Sequence, residues 1–566
     1  MEHLDNRSSV FQPENIFADD FQFAAPRLVR KKPAFNAENI LKRLDAMKAE
    51  RAKWEPMWDK AAEMCSVESE FFTTDNRGRV RQNVFDTTGR NALACFCSSM
   101  KSVIVPTTSQ WHRLKPVDPN LDDNANVKKF LDKATDLLFR VRYSAYSNFA
   151  SESDLLFNQL GIYGHALWMV EDNVGQGIIY RTIPVKEAYI KRDDSGKIAA
   201  VFREYELTAG EAVKKFGESL RGDILQAAEN TPERMFKFLH AVFERDDYAL
   251  EAADFNGMKY ASVHIDMAAK RIIHVGGYRS CPYMAPRFLG IAGSSYGDSP
   301  ALQAFYDLLT ANEMGKTILR TGQLQANPPI LTNMGLIDTN KLGSAGAVIR
   351  GGLDNQGKPA AVSMQYGNNL SITVEMQREV RAAIERAFLV PLFQSLTQTK
   401  QMTATEVEKR EMEKSMLLAP MCERISAEWL AGNIERELDI LASYGILDDV
   451  PDELMYDGSI AIQFECPAVH MQQSGAIVGL YKTIEAATSL AQANPNILNV
   501  FDTEAALRKI ADYYGVGPDV VRTADEVQAL LLQQQAQQQA LLQQQNSASV
   551  GAQNASLSAL LNKTSA

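Results

Sequence analysis

The chain has 566 residues, 45% of them hydrophobic, and a formal net charge of -11, which is material for three or four domain-sized units. That acidic balance excludes a protein that grips nucleic acid over its whole surface, since such proteins neutralise phosphates with Lys and Arg, and leaves open only weak or local contact with DNA. No apolar run reaches the eighteen or so residues of a bilayer span, and Met1-Glu-His-Leu-Asp-Asn-Arg7 lacks the basic and apolar regions of a signal peptide, so neither membrane insertion nor secretion is expected.

Residues 1–37 are polar and punctuated by Pro, with a basic cluster at Arg27, Arg30, Lys31 and Lys32, and read as an N-terminal arm. From Ile40 the spacing of Leu44, Met47, Trp54, Met57, Trp58, Ala61 and Cys65 predicts an amphipathic helix interrupted at Pro56. A second helix is predicted from about Arg90 to Val103, after Asp86-Thr-Thr-Gly89 and before Pro106. A third uses Val127, Phe130, Leu131, Ala134, Leu137, Leu138 and Val141. Between Gly164 and Tyr205 the texture turns to short β-rich runs at 166–170, 177–183 and 198–202, and similar runs return at 236–243, 260–265 and 271–275. This part is α+β.

After the Gly- and Pro-rich stretch from Pro282 to Pro300, helical period resumes from Ala301 to about Leu324 and stops at Asn327-Pro-Pro329. A Gly-rich segment at 328–370 carries β runs such as Ala347-Val-Ile349 and turns at Gly351-Gly352 and Asp354-Asn-Gln-Gly357. Another helix, Val374 to Phe388, closes at Pro391. A polar loop follows over 391–402. A capping box at Thr403 and Glu406 then opens a long helix, with apolar residues at Leu417, Met421, Ile425, Trp429, Ile434, Leu438 and Leu441 and a C-cap at Gly445. Its expected length is roughly 60 Å at 1.5 Å per residue, with a kink at Pro420. Such a rod suits an assembly. Past Pro451 come a β-like run, Ile460 to Phe464, helices around 471–492 and 502–513, and a Gln-rich tail from Gln528 that can be helical near its start.

Chemistry-bearing motifs fall away one by one. Gly315-Lys316-Thr317 ends like a phosphate-binding loop, but the first-glycine position is Thr310 and the segment is helical, so no cradle of backbone N–H groups forms. Gly175-Gln176-Gly177 fits a hairpin turn better than a dinucleotide fingerprint. Cys95-Phe96-Cys97 has no second ligand pair, and the seven histidines make no HExxH, so the six sparse cysteines (Cys65, Cys95, Cys97, Cys281, Cys422 and Cys466) are expected to be reduced structural thiols. Asp122-Asp123 and Asp193-Asp194 fall in turns or loops, and Arg77-Gly-Arg79-Val-Arg81 fits an exposed face paired with acids. No catalytic residue, metal site or cofactor is predicted.

Several segments, taken in order, resemble the portal or head-to-tail connecting proteins of short-tailed phages. They are Arg51 to Trp58; Asp86-Thr-Thr-Gly89 with Pro106 and Trp111; His240; Pro286-Arg287; Tyr296-Gly-Asp-Ser-Pro300; Asn327-Pro-Pro329; Ala387-Phe-Leu-Val-Pro391; and Met402-Thr-Ala-Thr-Glu-Val407 with Arg410 and Glu411. Phe288 departs from the family's more usual Trp. The resemblance implies a mainly helical α+β fold, the phage portal fold, assembled as a ring of twelve. It divides the chain into an arm (1–37), a wing (38–299), a first stem helix (300–327), a clip (328–370), a second stem helix (371–390), a tunnel loop (391–402), the wing's long helix (403–455), a crown (456–525) and the Gln-rich tail (526–566).

The implied role is a DNA channel at one capsid vertex, made in the host cytoplasm and carried in the virion. Implied partners are other copies of the chain, double-stranded DNA, the terminase large subunit, major capsid and scaffolding proteins, and tail adaptor or nozzle proteins, with no membrane. Gln394, Thr397, Gln398, Thr399, Lys400 and Gln401 would face DNA. Lys400 is the one charge between Arg386 and Glu406, and repeated around a ring it could brush phosphates weakly. Two other readings are a head–tail adaptor ring without a packaging role and a nucleic-acid enzyme. The helix-insert-helix at 301–390 speaks against the first, and the lack of a catalytic constellation against the second.

Overall fold

The computed structural model describes residues 35–66, 84–121, 124–173, 177–246, 248, 257–332, 348, 352–353, 356–364, 370–394, 416–447, 450–451, 453–454, 460–464, 479–490, 502, 506–507, 510, 527 and 530–539. The chain divides into two compact units, residues 1–122 with 130–468 and residues 123–129 with 469–566.

The first unit begins with α1 (Ala37–Arg51), whose N-cap Asn36 accepts a hydrogen bond from the Glu38 N–H. The expected interruption is present: α2 (Glu55–Cys65) restarts with Pro56 in its first turn, where a missing N–H breaks no helical bond. Next come α3 (Thr88–Ile104), β1 (His112–Pro116), α4 (Ala125–Arg142) and α5 (Phe149–Tyr163). Neither β1 nor α5 follows from the sequence patterns. In α5, Phe149, Ser153, Leu156, Phe157, Leu160 and Tyr163 share one buried face opposite the exposed Ser151, Asp154 and Leu155, a helical stripe blurred by the polar Ser153 within it and the apolar Leu155 and Ile162 outside it. It ends at Gly164 with φ 78°, where a Cβ would lie 2.5 Å from the Gly297 carbonyl oxygen. Only glycine suits that position.

The strands β2 (Leu167–Asn173) and β3 (Gly177–Ile183) form the antiparallel hairpin expected around Gly175-Gln176-Gly177, and β9 (Tyr283–Met284) adds to β2. The open edge of β3 is closed by side chains from α5 and the turn before it. Asn148 pairs with both backbone groups of Tyr180, and Glu152 accepts from the Thr182 N–H. A five-stranded antiparallel meander is built from β4 (Ala188–Arg192), β5 (Ile198–Thr208), β6 (Met235–Glu244), β7 (Tyr260–Asp266) and β8 (Arg271–Tyr278). Asp193 sits in the β4–β5 turn, as expected, and accepts from Ser195 and the Lys197 N–H.

The period-two pattern of β6 serves two cores. Leu239 and Ala241 pack with Ile40, Leu44 and Met47 of α1, and Phe238 packs with Ala212 and Ile224 of α6 (Ala209–Phe216) and α7 (Gly222–Asn230). Thr208 and Glu211 form a full capping box for α6. These two helices, too, go beyond the β runs expected on either side of them.

The short pair β10 (Leu289–Gly290) and β11 (Gly297–Asp298) precedes α8 (Pro300–Gln303) and α9 (Phe305–Ala326). β12 (Ile330–Thr332) pairs antiparallel with β13 (Ala361–Ser363), and α10 (Leu370–Ala387) returns alongside α9, so the helix-insert-helix expected at 301–390 is present. Gly357 takes φ 77°, as its turn demands; Ala347, Ile349, Gly351, Asp354 and Asn355 lie outside the described residues.

α12 (residues 416–425) runs unbroken through Pro420. The irregularity comes later, as a π turn at Ser426–Leu430 that leads into α13 (Ala431–Ser443). The expected apolar stripe therefore needs correction. Of its expected members Ile425, Trp429, Ile434 and Leu441 are buried, but Leu417 is 63% exposed, and Leu418, Cys422 and Ile440 are buried in addition. The five-residue step from Trp429 to Ile434 is the trace of the π turn, which inserts one residue into the helix. Gly445 is the predicted C-cap, at φ 66°, with Gly445 N–H donating to Ala442 O and Ile446 N–H to Leu441 O, a Schellman motif. Finally β14 (Ile460–Phe464) pairs antiparallel with β1, Phe464 opposite His112.

In the second unit, residues 479–490 form α14 and residues 530–539 form α15, a Gln-rich helix at the start of the tail. Helix and strand are thus mixed throughout the chain, in line with α+β.

Candidate functional site

The loop that joins α10 to the long helix is the segment singled out by the sequence. Its beginning is helical. Leu389 takes φ 60°, and the chain re-enters a short helix, α11 (Val390–Gln394), with Pro391 in its first turn. Val390 and Phe393 are buried there, while Gln394 at the end is exposed. Thr397, Gln398, Thr399, Lys400, Gln401 and the Thr403–Glu406 box lie outside the described residues, so of the expected loop residues the structure places Gln394 alone.

What the structure brings together is the anchorage on both sides of that loop. On the near side, the motif Asp86-Thr-Thr-Gly89 fastens the α9–α10 pair to the body. Asp86 Oδ1 accepts from the N–H of Thr88, the first residue of α3, at 2.8 Å. Asp86 Oδ2 accepts from Arg381 Nε at 2.9 Å and Nη2 at 2.8 Å, and from Gln377 Nε2 at 3.4 Å. Burial pushes the Asp86 carboxyl up, but the Thr88 hydrogen bonds and the Arg381 charge outweigh it and hold the group below the usual carboxylate range. The neighbouring Phe85 N–H donates to Asn312 Oδ1 of α9 at 2.6 Å.

Two glycines allow this fit. A Cβ on Gly89 would lie 2.6 Å from Leu308 Cδ2, and one on Gly315 would lie 2.9 Å from the Phe85 carbonyl oxygen. Gly315, which in sequence imitates a phosphate loop, is the place where α9 presses against backbone.

On the far side, the π turn carries Glu428. Its carboxylate accepts from Arg287 Nη2 at 2.6 Å, from the Arg287 N–H at 2.9 Å and from Arg192 Nη2 at 3.3 Å. Burial brings Arg192 down to about 10, against the pull of Glu428. One turn on, Trp168 Nε1 donates to Asn433 Oδ1 at 2.9 Å and Asn433 Nδ2 donates to Glu437. Arg436 donates to Asp439 at 2.8 Å, and Ser280 donates to the same carboxylate. The long helix is therefore pinned to β2, β4 and the 280–288 segment.

Arg192, Glu428, Asn433 and Glu437 were not singled out by the sequence. The signal available was a polar residue on an otherwise apolar stripe, as at Asn433 and Glu437. Arg287 belongs to the Pro286-Arg287 motif, and its guanidinium holds Glu428.

Burial pushes the Cys97 and Cys281 thiols up to about 12, so they are poor nucleophiles. Among the described residues, Cys65 and Cys422 are buried and Cys95, Cys97 and Cys281 partly buried, and no group of three or more His, Cys, Asp or Glu side chains is placed to hold a metal ion. Cys466, Asp122, Asp123, Arg77, Arg79 and Arg81 lie outside the described residues. Among the described residues no helix is long and apolar enough to cross a membrane.

A family model described as "Bacteriophage head to tail connecting protein" matches residues 37–521. The chain is 27% identical over 511 residues to the "Probable portal protein" of Bordetella phage BPP-1 and 24% identical over 507 residues to the "Portal protein" of Salmonella phage epsilon15, with 87% of this chain and 90% of each relative covered. Among solved structures it is similar to a chain of the "Virion of native gene transfer agent (GTA) particle", at 13% identity and a TM-score of 0.34, over 73% of this chain and 89% of that one.

Proposed function

Because the chain belongs to the bacteriophage head to tail connecting protein family, we propose that it is the portal of a phage virion, a structural connector without enzymatic activity. Twelve copies form a ring at one capsid vertex. The ring nucleates procapsid assembly with scaffolding and major capsid proteins, docks the terminase large subunit during packaging, holds tail adaptor or nozzle proteins, and passes double-stranded DNA outward at ejection.

The observation that carries this reading is the family match over residues 37–521, together with two relatives named as portal proteins over 87% of the chain. On this plan the body at 38–299 is the wing, 300–327 and 371–390 are the stem, 328–370 is the clip, 391–402 is the tunnel loop, 403–455 is the wing's long helix and 456–525 is the crown. The acidic balance of the chain, -11 in all, suits a passage that DNA must not stick to, since each neutralised phosphate adds salt-dependent affinity.

Gln394, Thr397, Gln398, Thr399, Lys400 and Gln401 act as a valve on outward slippage, brushing DNA with one Lys per subunit. Negative-stain images of the purified protein test the ring: particles with a central hole are expected, and a monomer under all conditions would overturn the reading. Deleting residues 394–401 tests the valve: rings are expected to form normally while packaging or retention of DNA falls, and a normal DNA content in the deleted particles would remove the valve role.

A further inference from the structure

The two helices of the α9–α10 pair each carry an exposed pair of opposite charges that their own chain does not match across the pair. On α9 these are Glu313 and Lys316, with side chains 68% and 45% exposed, 3.5 Å apart along one helix face. On α10 they are Glu375 and Arg378, both exposed and, among the described residues, without an ion-pair partner. Glu375 and Arg378 point away from the packed face of α10, and Glu313 and Lys316 lie along the edge of that of α9, where Lys316 Nζ sits 6.0 Å from the centre of the Phe85 ring. At about 100° per residue, Lys316 and Glu313 project about 40° and about 100° from the buried Asn312, on the opposite side from Ala311 and Gly315. Glu375 and Arg378 project about 160° and about 100° from the buried Gln377.

The heights along the pair also match. Phe85 and Asp86 are adjacent, and one holds Asn312 while the other holds Gln377 and Arg381, so position 312 of α9 is level with 377–381 of α10. The far ends of the helices meet through the antiparallel β12–β13 pair, so the two helices run in opposite directions. Counting about 1.5 Å per residue from that level, Glu313 stands beside the height of Arg378 and Lys316 beside that of Glu375, each within a turn. At both heights the charges are opposite.

We infer that these edges meet between neighbouring copies: Glu313 and Lys316 on α9 of one subunit pair with Arg378 and Glu375 on α10 of the next. This rests on the ring reading above and adds its contact and register. A ring interface is heterologous, so the two faces need not be alike, only complementary.

Two charge-order swaps test it, each leaving the net charge and the residue types of its helix's two charged positions unchanged. One carries Glu313→Lys with Lys316→Glu, the other Glu375→Arg with Arg378→Glu. Each alone faces like charges at every interface, and its ring fraction at fixed protein concentration is expected to fall about tenfold, with the fold of the unassembled chain intact by circular dichroism. Mixed in equal amounts, the two are expected to regain rings, because each presents what the other needs in alternation, and a chain with all four substitutions is expected to assemble by itself.

Rings from each swap alone at the unaltered level would overturn the inference, as would a mixture or a fourfold variant that stays unassembled while folded. If the unaltered chain forms no ring, the portal reading itself fails instead.

Discussion

Arg142 and Glu437, 295 residues apart in sequence, meet as a fully buried ion pair that ties α4 to the long helix. Arg142 Nε donates to Glu437 Oε1 at 3.1 Å and its Nη2 to Oε2. Tyr180 and Asn433 donate to Oε1 at 2.6 and 2.8 Å, and the guanidinium lies 4.5 Å over the Trp111 ring. A buried pair adds little net stability over a well-packed apolar pair, but removing one partner strands the other charge. Glu437→Leu is therefore expected to cost about 3–5 kcal/mol in urea unfolding of the unassembled chain, and Arg142→Met with Glu437→Leu markedly less. Equal losses in the single and double variants would mean that packing, not the stranded charge, sets the cost.

Asp86 has two tasks, holding the Thr88 N–H at the start of α3 and holding Arg381, and two substitutions separate them. Asp86→Asn keeps an acceptor for the Thr88 N–H but loses the charge facing Arg381; Asp86→Ala loses both. Because the Arg381 side chain is 44% exposed, solvent screens the ion pair, and the alanine variant is expected to cost about 1–2 kcal/mol, mostly through the lost hydrogen bond to Thr88. The asparagine variant is expected to change stability little while raising amide exchange along α10. The folded carboxyl is held low, so its stabilising contribution is present above the unfolded value of about 3.9 and fades only as pH falls through the lower folded value. Exchange in α10 that is already raised at pH 5 in the unaltered protein would contradict this.

How far the sequence disclosed these features depended on whether the pattern was local. Period and capping are local, so α1, α3, α4, α9, α10 and the Gly445 cap were legible within a few residues. The helix α5 was not, because Ser153 interrupts its apolar stripe while Leu155 and Ile162 lie off it. The strand β1 was missed because its partner, β14, lies some 350 residues on, with Phe464 opposite His112. Disturbance of the long helix was expected at Pro420, whose missing N–H is a local cue, yet the hydrogen bonding changes at Ser426–Leu430, where Glu428 is held by Arg287 and Arg192. Contacts between distant parts of the chain determine that position. The anchors of the site were half visible: Asp86 and Arg287 as members of ordered motifs, Glu437 only as a polar break in an apolar stripe, and Glu428 not at all.

Glycines in α9 give a paired test of the contact between helix and backbone. An alanine in place of glycine within a helix gains about 1 kcal/mol when space is free. At Gly322 no atom lies within 4 Å of the added Cβ; at Gly315 the Phe85 carbonyl oxygen lies 2.9 Å away, and backbone cannot swing aside. In the unassembled chain Gly322→Ala is expected to raise the urea midpoint, and Gly315→Ala to lower it by about 1–3 kcal/mol of stability. A stabilising Gly315→Ala would show that α9 is not pressed against residues 84–86.

The five-stranded sheet carries a histidine stack that makes stability depend on pH. His240 on β6 lies flat on His264 on β7, with ring centroids 4.2 Å apart, and His274 on β8 is 6.0 Å from His264. Tyr283 Oη and Ser262 Oγ hydrogen-bond His240 at 2.8 and 2.9 Å, and Tyr205 Oη lies 3.2 Å from His264 Nδ1. Burial, then the charges of Lys215, His274 and Arg203, lowers His264 to about 3; burial and the same neighbours, with His264 itself, lower His240 well below the usual histidine value.

Both rings are thus neutral in the fold and take up protons readily only when the chain unfolds. The unfolded state binds more protons at every pH between the folded and unfolded values, so stability falls as pH drops below about 6.5, by up to about 1.4 kcal/mol per pH unit for each ring. Carboxylates begin to titrate lower down, which leaves pH 6.5 to 5 as the window that isolates the histidines. Urea midpoints measured across it are expected to decline in the unaltered protein and to decline less steeply in His264→Phe, which removes one proton acceptor and keeps an aromatic ring against His240. An unchanged slope in that variant would mean that His264 already titrates in the folded sheet.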